Sequence, residues 1–350
     1  MMRLKIVSII LFINLHTLIS AQHPNSDNFQ EKIMGISFSY GVENTLNNIA
    51  NSYPELASRC SLAKLNFDLL HKQSISKMEK EVFKITGIPS EEYKMRIISL
   101  ATEQSRNLTI SKFESVKYLL NFENEIIHGN NDVSSQFISI LLKNNPKYIN
   151  SPIQEYMDGF KEKFTSNDHP KSKGLNFSID YPKSWNKSEG RRPNIIINLI
   201  SPDKKCNITV LIKDIFQEMK IDPLKIDKKV LSYIYSKNFE KDFIENISSE
   251  QYGLSLLNDL DIFEVSNLKI NNARVDGQPS SVISASGKLR KGQTILDLNL
   301  IMYTIIYKNY LIQITSNIDT QNEKNYGSIT DKNALCEIII NSLIIIDKWK

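Results

Sequence analysis

Imidazole is scarce in this chain: of five histidines in 350 residues, those past the first 21 positions are His23, His71, His128 and His169. Nucleophilic catalysis by serine or cysteine needs a base within hydrogen-bond reach of the nucleophile, so a histidine-based triad has few recruits. Gly253-Leu254-Ser255-Leu256-Leu257 fails a nucleophile elbow at its last position. Ser286-Gly287-Lys288-Leu289 has neither the spacing of a phosphate loop nor its hydroxyl after lysine. No Gly-x-Gly-x-x-Gly and no His-Glu-x-x-His occurs. Glu125-Ile126-Ile127-His128 matches the Glu-x-x-His pair of di-metal bundles once, and such a site needs it twice. The expectation is no catalytic residue, no cofactor-binding residue, no cofactor and no metal ligand.

Two chemistries survive that screen. Carboxylates are plentiful, and an acid/base pair of the glycosidase kind needs only two of them. Asp259-Leu260-Asp261, read as a strand, puts two on one face, although solvated surface is the commoner fate of such residues. The other is recognition. His169, Trp185, Arg191 and Arg192 bring together a titratable ring, a large amphipathic aromatic and two guanidinium forks, and Trp and Arg are enriched at binding hot spots. These four are the expected partner-binding residues. The competing reading has Trp185 contributing core area and the arginines paired with carboxylates.

The elements that must position these groups fall into two halves. Residues 26–164 carry mostly helical apolar spacing. Cys60, Ala63 and Phe67 mark one helix, and Ile75, Met78 and Val82 mark the next, which Gly87 and Pro89 stop. Ser90 starts another through Leu108. Ser111-Lys112-Phe113-Glu114 is a capping box ahead of a stripe of Phe113, Val116, Leu120 and Ile127. Ser151-Pro152 starts a last helix through Tyr156, Phe160 and Phe164. His71 and His128 are read near helix C-termini, where a partly charged ring suits the dipole.

Polar residues 165–173, with Pro170, read as a linker. Beyond it, Leu175–Tyr181 alternates and Pro182-Lys183-Ser184-Trp185 turns the chain. Residues 194–201 and 206–213 form a hairpin about Pro202–Lys205. Residues 222–246 read as a helix with a stripe of Ile226, Val230, Ile234 and Phe239. Strands follow at 262–270, 280–289, 294–306 and 310–318, then a helix over 330–342 that passes into a terminal strand. Short turns between successive strands mean antiparallel pairing. The fold class is therefore α+β: an all-α helical bundle followed by an antiparallel sheet with packed helices.

Bulk properties set the setting. Arg3 and Lys5 precede an apolar core at 6–19, and Ser20-Ala21 offers a cleavage site, so residues 1–21 read as an export signal too short to span a bilayer. The divisions expected are 1–21 signal peptide, 22–164 helical bundle, 165–173 linker and 174–350 α+β domain. The composition, 41% apolar and 23% charged, is that of a globular protein. A net charge of +4 from 43 basic and 39 acidic residues is close to balance and argues against nucleic acid. Of the three cysteines, Cys206 and Cys336 fall in one expected domain; their spacing leaves open both a bridge and buried free thiols.

The segment Gly174–Trp185, followed by Ile195–Leu211, resembles the opening of PsbP-like domains, with its strand, proline turn and tryptophan. Val275-Asp276-Gly277-Gln278-Pro279 is similar to a later turn of that family, and Tyr303–Ser316 with the final amphipathic helix extends the likeness to Asp347. The resemblance implies a sandwich of antiparallel sheet and helices used to dock on other proteins. Joined to the export signal, it gives an expected function: an exported, periplasmic or secreted, non-catalytic binding or assembly factor. Its partner would be another envelope or secreted protein, and the mature chain would carry no transmembrane segment. The alternative is a secreted hydrolase using carboxylates between the two domains.

Overall fold

The computed structural model describes residues 27–89, 91–92, 94–96, 98–99, 111–128, 132–167, 169–218, 220–321 and 327–350. The expected export signal, the helix start at Ser90, residues 100–110 and Gly129 lie outside them, while 91–92, 94–96 and 98–99 of that expected helix are helical. The chain divides into two compact units, one ending at Ile149 and one beginning at Asn150.

Among the described residues the first unit is all-α. Its helices are α1 (Asp27–Ser52), α2 (Ala57–Thr86), α3 (Lys112–Asn121), α4 (Asp132–Lys143) and the start of α5 (Pro146–Asn150), with a π-helical turn at Phe122–Ile126 after α3. Cys60, Ala63, Phe67, His71, Met78 and Val82 line one face of α2, so what reads as two segments is one helix of 30 residues. Lys72 and Gln73 carry no breaker, and the apolar steps of three and four continue through them. Gly87 ends it at φ 70°, a left-handed conformation that glycine adopts without Cβ strain, and its N–H bonds the Phe83 carbonyl. The capping box forms, with Ser111 and Glu114 bonding each other's backbone amides. Of the stripe beyond it Ile127 is buried as expected, but along α3 Ser115 and Leu119 lie inward, one residue before Val116 and Leu120, and Phe113 is 77% exposed. His71 also departs from its expected place. It is buried in mid-helix with Nε2 3.2 Å from the Ile127 carbonyl oxygen, and burial lowers its pKa to about 4.

The second unit is α+β. It contains α6 (Pro152–Met157), β1 (Lys161–Thr165), β2 (Phe177–Pro182), β3 (Asn186–Ser188), β4 (Ile195–Ile200), β5 (Cys206–Asp214) and α7 (Ile215–Glu218). Then come α8 (Lys228–Ile234), α9 (Lys237–Ile247), α10 (Glu250–Asp259), β6 (Ile262–Val275), β7 (Gln278–Lys291), β8 (Thr294–Tyr307), β9 (Tyr310–Asp319), α11 (Ile329–Asn341) and β10 (Ile344–Ile345). Every strand pairing is antiparallel: a small sheet β1-β2-β10 and a seven-stranded sheet β3-β4-β5-β9-β8-β7-β6.

One core gathers Phe177, Ile179 and Tyr181 of β2, the inward side chains of β4, β5, β8 and β9, and Leu335, Cys336, Ile339 and Ile340 of α11. Ile244, Ile247 and Leu257 of α9 and α10 pack elsewhere on the large sheet. β5 alternates strictly between buried and half-buried residues, while β8 is buried at every position from Leu300 to Tyr307. A strand with cover on both faces has no polar side to show. At Asp276-Gly277, between β6 and β7, both residues have positive φ, the conformation of a tight type I′ hairpin turn.

Three expectations fail here. The helix through Phe164 stops at Met157, Gly159 adopts φ 86°, and Phe164 lies on β1, which pairs with β2. Residues 165–173 are no free linker: Ser166 Oγ accepts from the Phe177 amide and donates to the Leu175 carbonyl, and Pro170–Ser172 forms a 3-10 turn. The helix over 222–246 is broken into a 3-10 turn at Pro223–Lys225, then α8 and α9, because Ser236 caps a new helix through the Phe239 amide. No described helix is long and apolar enough to cross a membrane.

Candidate functional site

The Pro182–Trp185 turn is tied down by groups drawn from three elements. The Trp185 amide closes the turn on the Pro182 carbonyl, and the Lys183 amide bonds the Phe160 carbonyl just before β1. The Glu155 carboxylate, from α6, accepts from the Ser184 amide at 2.7 Å and the Ser184 hydroxyl at 2.6 Å. Glu155 is fully buried, and removal from water raises its pKa to about 7 against the opposing pull of those two bonds and of Lys183. Lys183 is also buried, and burial lowers its pKa. Next to it on β1, Glu162 accepts from the Tyr181 hydroxyl at 2.7 Å; burial and this carboxylate push the tyrosine pKa up. Such a network fixes one turn geometry, since a buried carboxylate without its donors is costly.

Two cationic loops lie on either side of this turn in the chain, before β2 and after β3. His169 caps the 3-10 turn Pro170–Ser172, its Nδ1 accepting from the Lys171 amide at 3.2 Å, with its ring edge toward Phe164. Lys171 Nζ crosses to the β3–β4 loop, where it bonds the Gly190 carbonyl and pairs with Glu189 at 2.7 Å. That contact holds the Glu189 carboxyl below its usual pKa, with His169 a smaller influence. Arg191 and Arg192 follow, both exposed. Their guanidiniums enter no ion pair among the described residues. Glycine is required at the neck of this loop: a Cβ on Gly190 would overlap the Ile195 side chain and lie 2.8 Å from the Ile195 carbonyl oxygen. Gly190→Ala is therefore expected to cost about 1–3 kcal/mol through overpacking. Equilibrium unfolding checks this, and an unchanged midpoint would show that the loop is not so confined.

Of the four expected partner-binding residues, His169, Arg191 and Arg192 belong to these bridged loops. Trp185 does not present a contact surface: it is 4% exposed and sits in the core with Phe177 and Tyr181. A tryptophan in a proline turn at a strand end gains more by burying its ring than by showing it. Asp259 and Asp261 form no strand pair, since Asp259 ends α10 and Asp261 lies in the following turn with φ 60°. Sequence reasoning missed Glu155. Nothing in Pro152–Met157 sets it apart from a surface acid, because its burial comes from β2 and the turn, which arrive later in the chain.

No family model matches the sequence, and neither does any curated protein. Solved structures do. Cyanobacterial PsbP (CyanoP) from Synechocystis sp. PCC 6803 is similar over 53% of this chain and 92% of its own, at 12% identity and a TM-score of 0.30. LpqN of Mycobacterium tuberculosis, described as involved in cell envelope biogenesis, is similar over 55% and 96%, at 14% identity and a TM-score of 0.30. A Bacteroides thetaiotaomicron VPI-5482 protein is similar over 53% of this chain but 48% of its own, at 13% identity and a TM-score of 0.28. Likeness at these scores assigns no partner or activity, and the α+β class stands on the strand order and register described above.

Proposed function

We propose that this chain is an exported, non-catalytic binding or accessory factor whose His169, Arg191 and Arg192 loops receive an anionic surface of an envelope or secreted protein. The observation that supports the reading is the pair of exposed arginines without ion partners among the described residues, mounted on a loop that Lys171 and Gly190 hold in place. An arginine fork offers several donors in a fixed plane and suits carboxylate recognition. A loop fixed before binding loses less entropy on docking than a free one. Residues 1–21 carry the export part of the proposal, and a mature protein recovered without them would support it.

The test compares crosslinked capture from native envelope extract by the wild type, by Arg191→Glu/Arg192→Glu, and by Lys228→Glu/Lys229→Glu, which makes the same change of charge on α8. The arginine reversal is expected to lower recovery of the wild type's partner at least tenfold, with an unchanged unfolding midpoint. The α8 control should retain it. Equal loss in both variants would reduce the effect to net charge and sink the assignment of this loop. Turnover of any hydrolase substrate by the purified protein would sink the non-catalytic part.

A further inference from the structure

Cys206 opens β5 and Cys336 lies in the middle of α11. Both are fully buried free thiols, and their sulfurs are 3.2 Å apart. The third cysteine, Cys60, is buried in the first unit. Cys206 is held firmly: its amide donates to the Ser201 hydroxyl at 2.9 Å, and it pairs in register with Ile318 of β9. One turn ahead of Cys336 on α11, buried Lys332 reaches Asp203 at 3.5 Å, which ties the same helix to the β4–β5 turn. The helix and the strand are therefore already docked with the two sulfurs facing. A disulfide needs its sulfurs about 2.05 Å apart, and each sulfur would move roughly 0.6 Å to meet that length.

We infer that Cys206 and Cys336 form an intramolecular disulfide that locks α11 onto β5. The oxidant belongs to the class of thiol-exchanging disulfides, of which oxidised glutathione is the simplest. One cysteine loses its proton and attacks the donor, releasing one donor thiol and leaving a mixed disulfide. The second cysteine, as thiolate, displaces the remaining donor thiol. Two protein thiols lose two electrons and two protons, and the donor disulfide is reduced to two thiols. Burial keeps the Cys206 thiol protonated in the folded state, so exchange belongs to the folding chain, before α11 docks. Once formed, the bond is closed to reductant by the same burial.

The lock bears on the candidate site through α11. This helix packs against α6, which carries Glu155, and its chain continues into β10, which pairs with β2. A crosslink at Cys336 therefore braces two of the elements that hold the Pro182–Trp185 turn. The inference rests on the facing thiols and does not depend on the proposed partner surface.

The test is to unfold the reduced protein and refold it in a mixture of reduced and oxidised glutathione. The expected result is a mass lower by about 2 Da before alkylation, one alkylated thiol instead of three after denaturation and alkylation, and a peptide map linking the segments that contain Cys206 and Cys336. The oxidised protein should melt about 5–10 °C higher in the second unit than the reduced one. That difference should vanish in Cys206→Ala/Cys336→Ala, which folds without the crosslink. Three alkylated thiols after oxidative refolding, or a linkage through Cys60, would overturn the inference.

Discussion

Replacing Trp185 by alanine is expected to destabilise the second unit by roughly 3–5 kcal/mol, the cost of emptying a large aromatic site in a packed core. The indole lies among Phe177, Tyr181 and the inward residues of β4 and β5, at 4% exposure. Arg191→Ala and Arg192→Ala, a few residues on, should stay within about 0.5 kcal/mol of wild type, as exposed side chains with no ion partner among the described residues do. That contrast separates the anchor of the turn from the surface it presents. Fluorescence adds an independent readout, because the chain has two tryptophans and the other, Trp349, is 69% exposed. In a Trp349→Phe background the emission should be that of a buried indole and should shift red on unfolding of the second unit. A Trp185→Ala variant within 1 kcal/mol of wild type would remove the core role assigned to this residue.

The same contrast explains what sequence could disclose. Strands were legible where a short polar turn separates two apolar runs, as at Pro202–Lys205 between β4 and β5. Those signals are local, fixed by pleat and backbone sterics. The capping box at Ser111 was legible for the same reason. The reading failed where the deciding partner is remote in sequence. β1 is a five-residue segment that becomes a strand because β2 offers it an edge, and periodicity read from the helical side assigned it to the bundle. Leu119 and Leu120 are equally apolar neighbours, so only the packing partner decides which points inward. Glu155 is the sharpest case: its chemistry comes from Ser184 and Lys183, about thirty residues away. Of the two readings of the turn and the loop after it, the one that gave Trp185 to the core holds for that residue, whereas its pairing of Arg191 and Arg192 with carboxylates is not found among the described residues, where both are exposed.

Changing pH is expected to move the two units in opposite directions. In the first, buried His71 has its pKa lowered from 6.5 to about 4 by desolvation, against the Ile127 carbonyl and with His128 acting the same way as burial. Below pH 6.5 the unfolded chain takes up a proton that the folded one refuses. Stability is thus full above 6.5 and falls as pH drops toward 4, by about 3 kcal/mol. In the second unit, Glu155 has its pKa raised from 4.5 to about 7, with Ser184 and Lys183 pulling the other way and Glu162 facing the same lysine. Here the folded state holds the proton longer. Its contribution is full below 4.5 and is lost as pH rises toward 7, again by about 3 kcal/mol. Urea unfolding at pH 4.5 and 7.5, followed as two transitions, should show the first unit weakening on acidification while the second strengthens relative to its Glu155→Gln variant. Glutamine keeps an oxygen for the Ser184 amide and a donor for its hydroxyl, so it preserves the turn and removes the titration. His71→Gln should flatten the first unit's response in the same way. If the wild type and Glu155→Gln respond identically across this range, the carboxyl holding the turn carries its charge as an ordinary glutamate does, and the account of a water-excluded network holding the Pro182–Trp185 turn fails with it.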